Sequence, residues 1–122
     1  MSYIDGFVIP VATDKIAKYK KVATVAKRVW LEHGALQYVE AVGDDLAVKK
    51  VLPFPRLVKL KRGETVIFAW VLYKSKAHRD RVNKKVMADP RLKASMDDCM
   101  DLFDMKRMTY GGFKVIVEGD AK

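Results

Sequence analysis

Residues Glu64–Tyr73 read ETVIFAWVLY. The run is far shorter than the roughly 20 apolar residues that span a bilayer. Its β-branched and aromatic content is that of a strand. Successive side chains of a strand point to opposite faces. Val66, Phe68, Trp70 and Leu72 therefore share one face, and Ile67, Ala69, Val71 and Tyr73 the other. An antiparallel sheet with one wet face alternates apolar with polar residues. Here both sets are apolar, so both faces need cover. Helices of the same chain can cover one. A second copy of the sheet about a two-fold axis is the simplest cover for the other, because a monomer would leave a large apolar patch in water.

The surrounding sequence supplies the rest of the sheet. Upstream, YIDGFVIP is a short β-rich run closed by Pro10. From Asp14 to Glu32, the residues Ile16, Tyr19, Val22, Ala23, Ala26, Val29 and Trp30 recur at helical spacing, with Lys18, Lys21, Arg28 and Glu32 on the far side. Gly34 is the natural stop. ALQYVEAV, residues 35–42, reads as a strand ended by GDD, and the connector LAVKKVLPFPRLVKLKRG follows. Downstream, Ser75 caps a second helix that the Asp89–Pro90 step ends. An acidic, Met-containing segment, SMDDCMDLFDMKRM, precedes a last strand, TYGGFKVIVE, whose paired glycines predict a bulge. The order strand, helix, strand, strand, helix, strand is the ferredoxin-like βαββαβ pattern. It predicts an α+β fold in which one antiparallel sheet carries both helices on one face, within a single domain spanning residues 1–122.

Composition narrows the function classes. Half of the chain is hydrophobic, and its 32% of charged residues are mixed in sign. A core without disulfides or metal is therefore expected, and disorder is not. The lone Cys99 excludes an internal disulfide and points to a reducing compartment. The start MSYIDGFVIPV has no basic leader. The expectation is a soluble, cytoplasmic protein. The net charge of +9 is dispersed along the chain, so it reads as solubility rather than as a specific anionic partner. RMTYGGFKV lacks the aromatic spacing that stacks bases on a sheet, which argues against specific nucleic-acid binding. Two histidines and one cysteine form no metal-ligand spacing, and no glycine-rich phosphate loop is present, so neither metal nor cofactor is expected. Asp97, Asp98 and Asp101 around Cys99 should raise its thiol pKa and blunt it as a nucleophile.

The candidate site comes from SKAHRDRVNKKVM, residues 75–87. On a helical wheel its sheet-facing stripe holds Ser75, Arg79, Val82 and Val86, with His78 and Asn83 at the margins. Two valines are few for a cover helix. Either the helix lies peripherally, or His78, Arg79 and Asn83 turn inward and need polar partners. In the first helix, His33 continues the stripe of Val22, Ala26, Val29 and Trp30. The topology brings the end of the first helix and the start of the second to one edge of the sheet, together with Asp5 and Tyr38. These residues are expected around one pocket mouth. There His33 and His78 are the catalytic candidates, one of them moving a proton, and Arg79, Asp5, Tyr38 and Asn83 bind substrate. Arg79 would hold a carboxylate or enolate oxygen in its planar fork. Helix ends favour the charged form of His33 and disfavour it for His78. A plainer arrangement also fits: His33 caps its own helix and His78 bonds locally. Glu40 shares a face with Leu36, Tyr38 and Val42, either as a buried carboxylate or paired with a cation across a dimer. Trp30 and Trp70 are expected first in the core and second in a pocket wall.

The stretches YIDGFVIPV, WLEHGALQYVEAVGDD, FPR, YKSKAHRDRVNKKVMADPR and KRMTYGGFKV resemble the YbaA-like bacterial family, domain of unknown function 1428. The resemblance covers nearly the whole chain. It implies membership of the dimeric α+β-barrel superfamily, which includes antibiotic-biosynthesis-type monooxygenases and muconolactone-isomerase-like enzymes. Three function classes follow. One is a cofactor-independent oxygenase or isomerase acting on a small aromatic, enolic or carboxylate molecule in a helix–sheet pocket. The second is a non-catalytic homodimeric small-molecule-binding or stress protein. The third is an RNA-associated basic protein.

Overall fold

In the computed structural model, which describes residues 2–121, the two-sided strand lies inside a sheet, where two apolar faces can be used. The elements run β1 (Tyr3–Ala12), α1 (Ile16–Glu32), β2 (Gln37–Val42), α2 (Phe54–Leu57), β3 (Glu64–Tyr73), α3 (Lys76–Met87), α4 (Pro90–Asp97) and β4 (Thr109–Lys114). The strand order is β2-β3-β1-β4, and every neighbouring pair is antiparallel. This is the ferredoxin-like topology expected from the sequence.

The local signals act where the sequence places them. Ser75 Oγ accepts the backbone N–H of His78 and starts α3. Gly34, with a φ of +116°, follows the end of α1 in a conformation that favours glycine. Ile67, Ala69, Val71 and Tyr73 are buried under the helices. Two apolar clusters form there. One gathers Val29, Val71, Val82 and Val86, the other Ile9, Tyr19, Ile67 and Leu102, and Phe7 and Met96 pack against both.

Four local expectations change. Pro10 does not close β1, which runs on to Ala12 with Pro10 opposite Val66; the proline lies past Val8, the last β1 residue paired with β4, so no ladder on that side needs its missing N–H. The Asp89–Pro90 step ends α3 but also starts α4, since the Asp89 carboxylate accepts the Arg91 N–H and Pro90 occupies the first turn, where a missing N–H costs nothing. The helical layer therefore has three helices rather than two. The last strand stops at Lys114 instead of Glu118, since its ladder with β1 ends at the pair Tyr3–Lys114. The glycine pair makes no bulge: Gly6 faces Gly111 and Asp5 faces Gly112 in unbroken register. Close approach explains Gly112, where an added Cβ would collide with the Tyr3 phenol.

On the outer face the short α2 covers one end only. Phe54 meets Phe68 edge-on at 6.0 Å, and Val58, Val66 and Pro10 are buried there. Beyond it, Ile4, Val8, Phe68, Trp70 and Phe113 line an open apolar groove of about 470 Å³. Phe68 is 47% and Phe113 61% exposed. Among the described residues no helix is long and apolar enough to cross a membrane.

Arg107 ties the start of β3 to the approach to β4. It donates to both Glu64 oxygens, at 2.6 and 2.8 Å, and to Asp104 at 2.8 Å. The Arg107 hydrogen bonds hold the Glu64 carboxyl down to about 2, against an ordinary 4.5. A depressed carboxyl contributes stability above its unfolded pKa and loses it as the pH falls through the folded value. Urea unfolding of the protein and of Arg107→Ala should therefore differ by a constant amount above pH 5. The gap should narrow from about pH 4.5 toward pH 2; a gap unchanged over that range would show that the pair is energetically idle.

Candidate functional site

The cavity begins with small residues facing one another. Across the helix side of the sheet, Glu40, Ala69, Phe7 and Tyr110 form one lateral row. Above Ala69, α1 presents Ala23 and Ala26. Short side chains on both walls leave a gap that their larger neighbours do not fill. It is a cavity of about 210 Å³, walled by Phe7, Trp30, Tyr38, Val71, Met96 and Phe103 among others.

One carboxylate, Glu40, reaches this apolar wall. It pairs with no cation among the described residues. The phenol hydroxyls of Tyr19, from α1, and Tyr38, two residues away on β2, both donate to it, Tyr38 at 2.6 Å. Burial, and after it the Glu40 charge, pushes both phenols far above their ordinary range. They remain neutral donors at any physiological pH. Two donors offset part of the cost of taking the carboxylate out of water. The cavity continues past Glu40 into an outer hollow of about 470 Å³ between α1 and β2. Tyr19, Ala23, Tyr38 and Glu40 belong to both spaces, and Lys20, Thr24 and Lys27 stand at the outer rim.

At the other end lies Asp5, 1% exposed. It accepts from Arg79 Nη1 at 3.0 Å and from the hydroxyls of Tyr73 and Tyr110, each at 3.1 Å. The Asn83 amide stands 3.4 Å away. Trp30 Nε1 lies 3.1 Å from the Tyr73 oxygen and 3.2 Å from Asn83 Oδ1. A hollow of about 360 Å³ adjoins this cluster, lined by Asp5, Asn83 and Tyr110 with Met87, Met105 and Met108.

The sequence-derived candidates thus separate. Asp5, Arg79 and Asn83 do meet, but Arg79 is not a free fork. Its Nη1 serves Asp5 and Tyr110, Nη2 reaches the Tyr3 hydroxyl at 3.3 Å, and the guanidinium stacks 5.0 Å from the Tyr3 ring. Asp80 lies 3.0 Å from Arg79 Nε, within its own turn. That contact is off the N–H direction, and Nε is left without a hydrogen-bond acceptor among the described residues.

Tyr38 joins Glu40 instead of the Asp5 group. The two histidines flank Gly34, but each ring has its own partners. His33 Nε2 lies 2.8 Å from Asp89, whose carboxyl the Arg91 and His33 hydrogen bonds hold far below the carboxylate range. His78 Nδ1 accepts the Lys74 N–H at 3.0 Å, and burial, with Arg81 and Lys74 nearby, disfavours its charged form. Neither ring lines the three hollows around the helix layer. His78 thus bonds locally, whereas the His33 ring reaches across to Asp89 instead of capping its own helix.

Trp30 serves in both core and cavity wall, whereas Trp70 lies on the outer face. Within the chain Glu40 is a part-buried carboxylate held by two phenols. Tyr19, Tyr73 and Tyr110 were invisible as site residues, since in sequence they read only as apolar positions. Burial more than its aspartate neighbours raises the Cys99 thiol.

Asp5 and Arg79 have side chains 2% and 14% exposed, so removing either strands the other. Asp5→Ala and Arg79→Ala should each lose about 3–5 kcal/mol in denaturant unfolding. The double variant should lose much less than the sum. Additive losses would show that the pair does not act as a unit.

Residues 2–105 match a family described as "Protein of unknown function (DUF1428)". A protein of Escherichia coli (strain K12), "Uncharacterized protein YbaA", is 43% identical over 118 residues, covering 97% of this chain and 99% of its own. Among solved structures, a putative antibiotic biosynthesis monooxygenase from Bacteriodes thetaiotaomicron superposes with a TM-score of 0.63 at 13% identity, covering 99% of this chain and 95% of that one. A variant of SnoaB, a cofactor-independent oxygenase from Streptomyces nogalater, gives 0.56 at 11% identity, covering 96% and 95%. At these identities the likeness concerns the fold.

Proposed function

Because the chain belongs to the DUF1428 family, described only as of unknown function, its role is read from its own cavity, and we propose that it binds a small aromatic or enolic molecule between helices and sheet and, as a cofactor-independent enzyme, moves a proton on it. The observation that carries this reading is an apolar cavity with one carboxylate in its wall, Glu40, held by two neutral phenols. An engineered apolar cavity of about 150 Å³ holds benzene, so about 210 Å³ suits one or two rings.

Glu40 is positioned to accept a proton from a phenol, an enol or an activated C–H. Tyr19 and Tyr38 supply donors to the oxyanion that results. The anion can then be reprotonated elsewhere, an isomerisation, or react with dioxygen, and oxygen consumption separates the two. Non-catalytic binding in the same cavity is the alternative, and turnover distinguishes it. This reading replaces the histidine pair with Glu40 as the proton-moving group.

Calorimetric titration of 2-naphthol should give saturable binding. Glu40→Gln should weaken it by about tenfold or more, as expected for a lost charged hydrogen bond. Ala69→Leu, which fills the cavity, should abolish it. Absence of saturable binding across one- and two-ring phenols and enols, or binding indifferent to both variants, refutes the proposal.

The reading includes a cytoplasmic homodimer closed over the outer sheet face. Support comes from the apolar groove around Phe68, Trp70 and Phe113 and, for the compartment, from the free Cys99 thiol. Covering these aromatics with a second copy leaves none of them to stack bases, so specific nucleic acid stays outside the proposal. Sedimentation should give twice the chain mass at micromolar concentration, and Phe68→Lys should shift it to the monomer with loss of thermal stability. A well-folded wild-type monomer under those conditions contradicts the dimer.

A further inference from the structure

A ligand in this cavity can have only one polarity. Among the described residues no cation lines the cavity, and the guanidinium of Arg79 nearby is engaged by Asp5, Tyr3 and Tyr110. An anionic group pointing inward would meet Glu40 in a low-dielectric wall, where like charges repel most strongly. Beyond Glu40 the sign reverses. Lys20, Thr24 and Lys27 follow one another along one side of α1 and border the outer hollow that shares Tyr19, Tyr38 and Glu40 with the cavity. The Thr24 hydroxyl donates back to the Lys20 carbonyl at 2.7 Å, so the lysines are the charged donors of this rim. Neither makes an ion pair among the described residues, whereas Lys15 and Lys18 both close on Asp101 at 3.0 Å.

We infer that the ligand is an aryl carboxylate bound ring inward: the ring fills the cavity, the group bearing the acidic hydrogen lies at Glu40, and the carboxylate lies outside on Lys20 and Lys27. This assignment rests on the cavity reading above and adds the substrate class. The acidic hydrogen sits between ring and ketone, as in arylpyruvic acids, whose carboxylate lies one carbon further out. Proton abstraction there needs no co-reactant. Glu40 takes the C–H proton, the electron pair moves through the new carbon–carbon double bond onto the ketone oxygen, and the proton passes from Glu40 to that enolate oxygen to give the enol.

The test compares 2-naphthylacetate with its neutral isostere 2-naphthylacetamide by calorimetry, at roughly 0.01 M and 1 M ionic strength, where the screening length is about 30 and 3 Å. The acid should bind about tenfold tighter at low salt and lose that preference at high salt. Lys20→Ala combined with Lys27→Ala should remove the preference, and Lys84→Ala, on the outward side of α3, should retain it. If both probes bind alike, or the double variant keeps the preference, the charge assignment is overturned while the cavity reading stands. If neither probe binds and the phenols of the preceding section do not bind either, both fall together.

Discussion

One buried carboxylate organises the helix side of this sheet. Asp5 sits on β1, between β3 and β4, and cannot be hydrated. A charge in that position must be paired and hydrogen-bonded. Its partners come from three elements: Tyr73 from β3, Tyr110 from β4, and Arg79, with Asn83 beside it, from α3. This explains how α3 docks with only Val82 and Val86 as buried residues. Its polar stripe is an adhesive face whose complement is the Asp5 cluster. The register of the helix over the sheet is thereby specified more narrowly than two valines could manage.

The same interaction sets the electrostatics of the cavity. With Arg79 committed to Asp5, the cavity wall keeps a carboxylate, Glu40, that pairs with no cation among the described residues, and two phenols that burial and that charge hold neutral. Tyr38 and Glu40 lie on β2 while Tyr19 descends from α1, so their meeting fixes the separation of helix and sheet at that edge. Alanines at 23, 26 and 69 then leave the space between them open. An overpacked cavity at these positions would be filled core; a single carboxylate facing apolar space is a chemical environment.

Helix face and outer face divide the work of β3. Ile67, Ala69, Val71 and Tyr73 build the core and the cavity floor, and Phe68 and Trp70 leave an apolar surface that α2 covers at one end only. The two-sided pattern is the reason one face of the strand builds core while the other leaves apolar surface exposed beyond α2.

Strand order, helix starts and the two-faced character of Glu64–Tyr73 were legible in the sequence, because alternation, capping and glycine stops are local and repeat over several residues. Ser75 and Gly34 act within a turn of where they stand, whereas Pro10 does not close its strand. The helix Pro90–Asp97 was not legible: its apolar positions are few, and the proline that closes one helix equally opens the next. Topology alone brought Asp5, Arg79 and Asn83 to one edge. It could not say that both terminal nitrogens of Arg79 would be engaged there, because hydrogen-bond geometry depends on where three strands and a helix come to rest. Nor could it bring Tyr19 to Glu40, two residues on different elements that read separately as a core aromatic and an ambiguous carboxylate. The sequence by itself determined the architecture, since periodicity encodes which face is apolar. Only the tertiary structure decided which charge remains free, since that depends on side chains distant in sequence competing for the same few partners.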